Sequence, residues 1–260
     1  MPNKAFAAWQ QARHDELAAP ESWLGLAGLF WLAPGANRVG SGADALVCLP
    51  DGPAHLGDLF WQDGQLSWQP VGSAARELHT DSLGPPSVVE AGDWAFFVVD
   101  REGRLAVRLR DRAWAAKAPF AGLDYFDFST EWQIAADWQA LSPPLSMEVP
   151  NVSGDLKTVE VAYQAVFEVA GQAVTLLPMA VGEHEVFFVF RDRTCGKESY
   201  GAGRFLKTAP AIDGRIVLDF NRAYNPPCAF TPFATCPLPP PENWLPFPVT
   251  AGEQTYRSGD

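Results

Sequence analysis

The sequence predicts a mainly β protein, with antiparallel sandwich or barrel-like sheets, a short N-terminal helix and a proline-rich C-terminal strap. Two observations support the sheets. Twenty-two glycines and twenty-three prolines divide the 260 residues into short pieces, and several of these pieces alternate apolar with polar residues, as half-buried strands do. A third observation supports the helix, because helical periodicity is found only near the start of the chain.

The predicted helix covers residues 4–19. Its apolar side chains fall on one face, Asn3 is the predicted N-cap, and Pro20 ends the helix because proline cannot continue it. We therefore expect residues 1–20 to form an N-terminal helical segment and residues 21–260 to form a single β-rich domain.

The strand predictions follow the alternation of side chains. Residues 94–110 contain two such runs joined by Arg-Glu-Gly, which predicts a hairpin. Residues 186–190 (VFFVF) are apolar on both faces, which predicts a central strand. The prolines of residues 141–146 (LSPPLS) mark a candidate seam between two sheet units. Further strands are predicted at residues 131–138, 158–169, 200–206 and 215–221.

Composition and charge limit the classes of partner. The formal net charge is −12, so the surface repels phosphate backbones and nucleic acid is not an expected partner. The longest apolar run, residues 23–33, is shorter than the ~20 residues that span a bilayer, so no membrane partner is expected. Four scattered cysteines and the lack of a leader pattern predict a cytoplasmic protein with reduced thiols. The oligomeric state stays open.

Common catalytic signatures are missing from the sequence. CGKES at residues 195–199 lacks the residues that complete a phosphate-binding loop, and GAGRFL at residues 201–206 lacks the third glycine of a dinucleotide fingerprint. HEVFF has no second histidine for a zinc-protease helix, and no G-x-S-x-G elbow occurs. The sequence therefore indicates neither a cofactor nor a reaction class.

Polar residues concentrate between residues 191 and 243, where the predicted strands end. The guanidinium fork of Arg204 suits a carboxylate, and a nearby aspartate can act as an acid or base. We therefore predict a pocket for an anionic or carbonyl-bearing small molecule in the C-terminal half, walled by the strap at residues 219–243. The candidate catalytic residues are Asp192, Tyr200 and Asp219, and the candidate ligand-binding residues are Arg204, Asn221, Tyr224, Asn225, Cys228 and Asn243.

Other interpretations of these residues stay open. The prolines stiffen the strap, so Arg204 and the asparagines can serve only to hold it down, as in a structural or protein-binding β module without catalysis. Cys228 and Cys236 lie eight residues apart. They fit inert buried thiols, a disulfide, or two metal ligands in a site completed by His184 or Asp219. A nucleophilic Cys228 would need His184 as its base.

Long motifs in the chain resemble one protein family. TCGKESYGAGRFL at residues 194–206 and LDFNRAYNPPCAFTPFATCPLPPPENWLPFPVTAGE at residues 218–253 resemble the C-terminal signature of the bacterial and archaeal family catalogued as domain of unknown function 1684. SWLGLAGLFWLAPGANRVGS at residues 22–41 is similar to its N-terminal signature. The resemblance covers residues 20–255 and implies one recurring unit, whereas the family name implies no activity.

Overall fold

The structure, a computed structural model, describes residues 4–257 apart from the side chain of Leu83. Two compact units divide the chain. Ala18–Phe120 form the N-terminal unit, and the described residues before and after that segment form the C-terminal unit. The mainly β fold, with antiparallel sheets, a short N-terminal helix and a C-terminal strap, is confirmed. Within residues 4–257 no helix is long and apolar enough to cross a membrane.

The N-terminal helix α1 (Lys4–Ala18) forms where the sequence predicts it. Phe6 and Leu17 are buried, as expected for the apolar face of the helix. The Phe6 ring lies 5.4 Å from the Phe128 ring, measured between centroids, so an aromatic contact joins α1 to the rest of the C-terminal unit. Asn3, the predicted N-cap, lies outside the described residues.

The N-terminal unit is a β-sandwich of two sheets. One sheet has the order β1-β9-β8-β7 and the other the order β3-β2-β4-β5-β6, and only the pairing of β2 with β3 is parallel among the described strands. Trp68 and Phe96 meet edge to face at 5.2 Å within one core shared by both sheets. The elements are the 3-10 turns Trp23–Gly25 and Asp81–Leu83, β1 (Leu26–Trp31), β2 (Gly35–Gly40), β3 (Val47–Cys48), β4 (Gly57–Gln62), β5 (Gln65–Pro70), β6 (Arg76–Glu77), β7 (Val88–Ala91), β8 (Trp94–Arg101), β9 (Arg104–Asp111) and α2 (Trp114–Lys117).

The hairpin predicted at residues 94–110 is confirmed. Strands β8 and β9 pair in antiparallel register up to Arg101 and Arg104. The two residues between them, Glu102 and Gly103, have positive φ angles of 54° and 79°. A two-residue turn with this backbone matches the right-handed twist of its flanking strands.

The C-terminal unit also contains two antiparallel sheets, with the orders β12-β11-β10-β16 and β13-β14-β15. Phe167 of the first sheet and Phe188 of the second share one buried core with Phe220 of the strap. The elements are the 3-10 turn Thr130–Trp132, β10 (Gln133–Pro150), β11 (Leu156–Val169), β12 (Gln172–Leu176), β13 (Ala180–Val181), β14 (Val186–Phe190), β15 (Arg204–Thr208) and β16 (Arg215–Asp219).

Most strand predictions in this unit agree with the structure, although several bounds differ. The strand predicted at residues 131–138 begins at Gln133, and the one predicted at residues 215–221 ends at Asp219. β14 is the middle strand of its sheet, as its apolar sequence predicts. The strand predicted at residues 200–206 begins only at Arg204, because Gly203 has a φ of 102° and closes a turn there. Residues 141–146 lie inside β10, where the pairing with β11 shifts register, whereas the compact units divide between residues 120 and 121.

The strap is ordered by contacts with the strands rather than by strands of its own. Tyr224 and Phe205 exchange two backbone hydrogen bonds of 2.9 Å, and the N–H of Leu238 donates to the carbonyl of Pro150 at 2.7 Å. These bonds fasten the strap to β15 and to the end of β10. Within the strap the regular elements are the 3-10 turns Phe220–Arg222, Pro227–Ala229 and Pro241–Asn243.

Gly203→Ala is expected to destabilise the protein by about 3 kcal/mol in urea unfolding. The added Cβ would lie 2.5 Å from the carbonyl oxygen of Phe190 and 2.6 Å from Cγ of Pro239, at a φ that alanine rarely adopts. Gly201→Ala is the matched control, because its Cβ would meet nothing closer than 3.7 Å. A loss for Gly203→Ala as small as that of the control would contradict this packing.

Candidate functional site

Arg204, at the start of β15, is the centre of a buried polar network. Its Nη2 lies 2.8 Å from Oδ2 of Asp192, and both side chains are fully buried. The same guanidinium donates to the backbone carbonyls of Val249 (2.8 Å), Ala251 and Glu253 (3.2 Å). The ion pair therefore fastens the segment that follows the strap to the second sheet of the C-terminal unit.

The carboxylate of Asp192 is fully engaged inside the protein. Its Oδ1 accepts hydrogen bonds from the N–H (2.7 Å) and hydroxyl (2.6 Å) of Thr194 and from the N–H of Val249 (3.2 Å). The structure thus places the predicted catalytic residue Asp192 and the predicted anion-binding residue Arg204 in one buried network. A buried, paired guanidinium and a buried, saturated carboxylate present no exposed group to a ligand.

The three asparagines in the prediction also fasten the strap. Asn243 accepts from the N–H of Leu177 and donates to its carbonyl, both at 2.8 Å. Asn221 makes the same pair of bonds with the backbone of Ser129, at 3.0 and 2.8 Å. The side-chain amide of Asn225 donates to a backbone carbonyl at 2.7 Å. All three residues, predicted to bind a ligand, are buried, and the hydrogen bonds named here join them to backbone groups.

Asp219 caps the 3-10 turn Phe220–Arg222. Its Oδ1 accepts from the N–H and the side-chain amide of Asn221, at 3.2 and 2.9 Å, and its Oδ2 accepts from Gln133 at 3.1 Å. Oδ2 also lies 3.6 Å from Nε of Arg222. The carboxylate thus orients Arg222, and hydrogen bonds within the protein occupy both of its oxygens.

A solvent-accessible groove lies beside this turn, and we call it the Lys207–Arg222 groove. It consists of two hollows of about 490 and 330 Å³ that share Lys207 and Arg222. Two of the sequence candidates, Asp219 and Tyr224, line it. The first hollow is also lined by His184, Glu185, Thr208, Ala209, Val217 and Asp219, and the second by Trp9, Arg13, Glu16 and Tyr224.

Tyr224 and Arg13 form part of the wall of the second hollow. The Arg13 guanidinium lies 5.0 Å from the centroid of the Tyr224 ring and pairs through Nε with Glu253 at 2.9 Å. Burial raises the pKa of Tyr224. Its phenol therefore stays protonated near neutral pH and is able to donate a hydrogen bond.

Sequence reasoning missed the two cations that the hollows share. Lys207 lies on β15, where Arg204 and Leu206 are buried and Lys207 is exposed. Arg222 ends a turn in which Asn221 is buried. The three residues of β15 before Lys207 are all buried, so side-chain alternation alone does not identify Lys207 as the first exposed residue of this strand. No local sequence pattern distinguishes the partly exposed Arg222 from the buried Arg204. Burial of each side chain depends on which distant segments of the chain pack over it.

Tyr200, Cys228 and Cys236 form a separate cluster. The hydroxyl of Tyr200 donates to the carbonyl of Cys228 at 2.9 Å, and the N–H of Cys228 donates to Sγ of Cys236 at 3.2 Å. All four cysteines of the chain are thiols. Hydrogen bonding from Cys236, opposed by burial and assisted by Tyr200, lowers the pKa of Cys228 to about 7. The predicted ligand-binding residue Cys228 therefore belongs to a dithiol rather than to the groove.

The metal site considered for Cys228 and Cys236 lacks further ligands in the described part of the chain. Within residues 4–257, no group of three or more histidine, cysteine, aspartate or glutamate side chains is arranged to hold a metal ion. His184 and Asp219, the proposed additional ligands, both line the first hollow. Two thiols alone do not hold zinc.

Comparison with known proteins assigns the chain to a family. The model described as "Protein of unknown function (DUF1684)" matches residues 118–254, more than half of the chain. The chain therefore belongs to this family. The C-terminal motifs lie inside the matched region, and the motif at residues 22–41 lies outside it.

Among solved structures, the chain is similar to an uncharacterized protein of Haloarcula marismortui determined by solution NMR. The two are 36% identical with a TM-score of 0.44, and the match covers 52% of this chain and 77% of the other. No curated protein matches the chain significantly.

Arg204→Met is expected to lower the free energy of unfolding by about 3–5 kcal/mol, because it leaves Asp192 buried without its counter-charge. Arg215→Met is the matched control, since Arg215 pairs with Asp137 on an exposed surface and such pairs contribute about 0–1 kcal/mol. Urea unfolding followed by tryptophan fluorescence measures both. Equal losses for the two variants would contradict the anchoring role of Arg204.

Proposed function

We propose that the C-terminal unit binds a small organic anion, a carboxylate or a phosphate monoester, in the Lys207–Arg222 groove. The main support is the Arg222 side chain, which lines both hollows and is 42% exposed. Within residues 4–257 no acceptor hydrogen-bonds to its guanidinium, since the nearest carboxylate oxygen lies 3.6 Å away. A guanidinium with unused donors suits two parallel hydrogen bonds to a carboxylate or phosphate.

Asp219 supports this role by restricting the position of Arg222. Its carboxylate is itself held by Asn221 and Gln133, and it attracts the Nε side of the guanidinium. The two Nη atoms are left without a hydrogen-bond acceptor among the described residues. A donor that is positioned before the ligand arrives loses less conformational entropy on binding.

Lys207 supplies the second positive charge. Its Nζ pairs with Glu185 at 2.8 Å, and the two side chains are 50% and 51% exposed. Exposed pairs of this kind contribute only about 0–1 kcal/mol. Lys207 can therefore exchange Glu185 for an oxygen of the ligand at little cost in stability.

The second hollow offers contacts for the organic part of the ligand. Trp9 and Tyr224 supply aromatic surface, and the phenol of Tyr224, whose pKa is raised by burial, is a hydrogen-bond donor. Arg13 is occupied by Glu253 and Glu16, at 2.9 and 2.6 Å, so it shapes the wall rather than binding the anion. This combination favours a ligand with both a charged and an apolar part over a bare ion.

The net charge of the chain favours small ligands. A charge of −12 repels polyanions such as nucleic acids. The shared pair of cations in the groove attracts a small anion locally, and the carboxylates of the same lining, Glu185, Asp219 and Glu16, partly offset this attraction. Screening limits the repulsion from more distant acidic groups to roughly 10 Å at moderate salt.

The double variant Lys207→Met/Arg222→Met is expected to lose anion affinity by about tenfold or more per cation, since a hydrogen bond to a charged group contributes roughly 1.5–3 kcal/mol. Isothermal titration calorimetry at low ionic strength, with succinate, citrate and inorganic phosphate as separate probes, measures the effect. The wild-type chain is expected to bind at least one probe saturably at a single site.

The control is Lys197→Met/Arg215→Met, which removes the same charge from exposed positions outside the groove. It is expected to retain wild-type affinity, and circular dichroism verifies that both double variants are folded. An equal loss in both double variants, or no saturable binding of any probe to the wild type, would contradict the proposal.

A further inference from the structure

The strap brings two cysteines together at one end of the turn Pro227–Ala229. The N–H of Cys228, inside this turn, donates to Sγ of Cys236 at 3.2 Å. The hydroxyl of Tyr200 donates to the carbonyl of Cys228 at 2.9 Å. The backbone of Cys228 is thus held on its N–H side by a sulfur atom and on its carbonyl side by a phenol.

The two thiols differ in their access to solvent. Cys236 is 4% exposed and packs in an apolar cluster with Val189, Phe205 and Ala234. Cys228 packs against the same cluster and is partly exposed. In such a pair the exposed thiol meets an external reagent first, and the buried thiol is positioned to react with the product.

The surroundings of Cys228 favour its thiolate. The titratable groups that act on it are Cys236 and Tyr200. Hydrogen bonding from Cys236, and then from Tyr200, lowers the pKa of Cys228 to about 7 against the effect of burial. Burial raises the pKa of Tyr200, so Tyr200 stays a neutral donor. A substantial part of Cys228 is therefore thiolate at neutral pH, and the thiolate is the reactive form.

We propose that Cys228 and Cys236 are a redox-active dithiol that reduces small-molecule disulfides, with Cys228 as the attacking thiol and Cys236 as the resolving thiol. The Cys228 thiolate attacks one sulfur of the disulfide, the S–S bond breaks, and the first leaving thiolate takes a proton from water. Cys236 then gives its proton to solvent and attacks Sγ of Cys228, which releases the second thiolate. The protein loses two electrons and gains one disulfide, and the substrate gains two electrons and becomes two thiols.

The test uses the full chain with Cys48 and Cys195 replaced by serine, incubated with glutathione disulfide and measured by intact-mass spectrometry. The protein is expected to lose two hydrogens and retain no adduct, and peptide mapping is expected to join Cys228 to Cys236. Cys236→Ser in the same background is expected to trap one glutathione on Cys228. Cys228→Ser is expected to prevent the adduct.

Two further measurements keep the test independent of folding defects. Peptide mapping of the oxidised wild-type chain reports the same disulfide, with the exposed Cys48 as an internal control for reagent access. Tyr200→Phe is expected to move the midpoint of the pH profile for Cys228 alkylation upward from about 7, because it removes a hydrogen bond that favours the thiolate. A glutathione adduct that persists on Cys228 beside an intact Cys236, or modification of Cys48 with none at Cys228, would overturn the proposal.

Discussion

The ion pair between Arg204 and Asp192 is the interaction on which the C-terminal unit depends. Removing two charges from water costs several kcal/mol per ion, and this cost is offset only when every remaining donor and acceptor is well placed. Here the backbone carbonyls of residues 249–253 and the carboxylate of Asp192 accept from both Nη atoms of the guanidinium, and only Nε is left without an acceptor among the described residues. The closing segment is thereby fixed, and with it the buried side chain of Glu253. Glu253 in turn pairs with Arg13 of α1, so the helical wall of the groove depends indirectly on Arg204.

The C-terminal region thus contains two kinds of polar residue with opposite roles. Arg204 and the asparagines are buried. The asparagine side chains bond backbone groups beside the strap, which itself has few backbone donors because of its prolines, and Arg204 bonds the segment that follows the strap. Lys207 is exposed and Arg222 is partly exposed, and Arg222 directly follows the buried Asn221 in the sequence. Lys207 lies where the buried part of β15 ends, and Arg222 lies at the end of the 3-10 turn after Asp219. A rigid support next to an open charged surface is the arrangement that a preorganised binding site requires.

Sequence patterns predicted the strands and turns whose formation depends mainly on neighbouring residues. Side-chain alternation predicted strands such as β11, and the Arg-Glu-Gly sequence predicted the β8–β9 hairpin, because neighbouring residues decide both. The role of Arg204 could not be predicted this way. It depends on carbonyls 45 to 49 positions further along the chain, and the contact between Arg13 and Glu253 spans 240 positions. The division of the units near residue 120 depends on contacts of the same long range.

The central claim is that the buried network supports the groove and only the groove meets the ligand. An NMR titration of the isotope-labelled wild-type chain with citrate tests it directly, because backbone and arginine side-chain signals report each region separately. The account predicts saturable shifts for Lys207, Arg222 and Tyr224, while the guanidinium signal of Arg204 stays in place. Shifts centred on Arg204 and Asn243, with the groove unaffected, would contradict it.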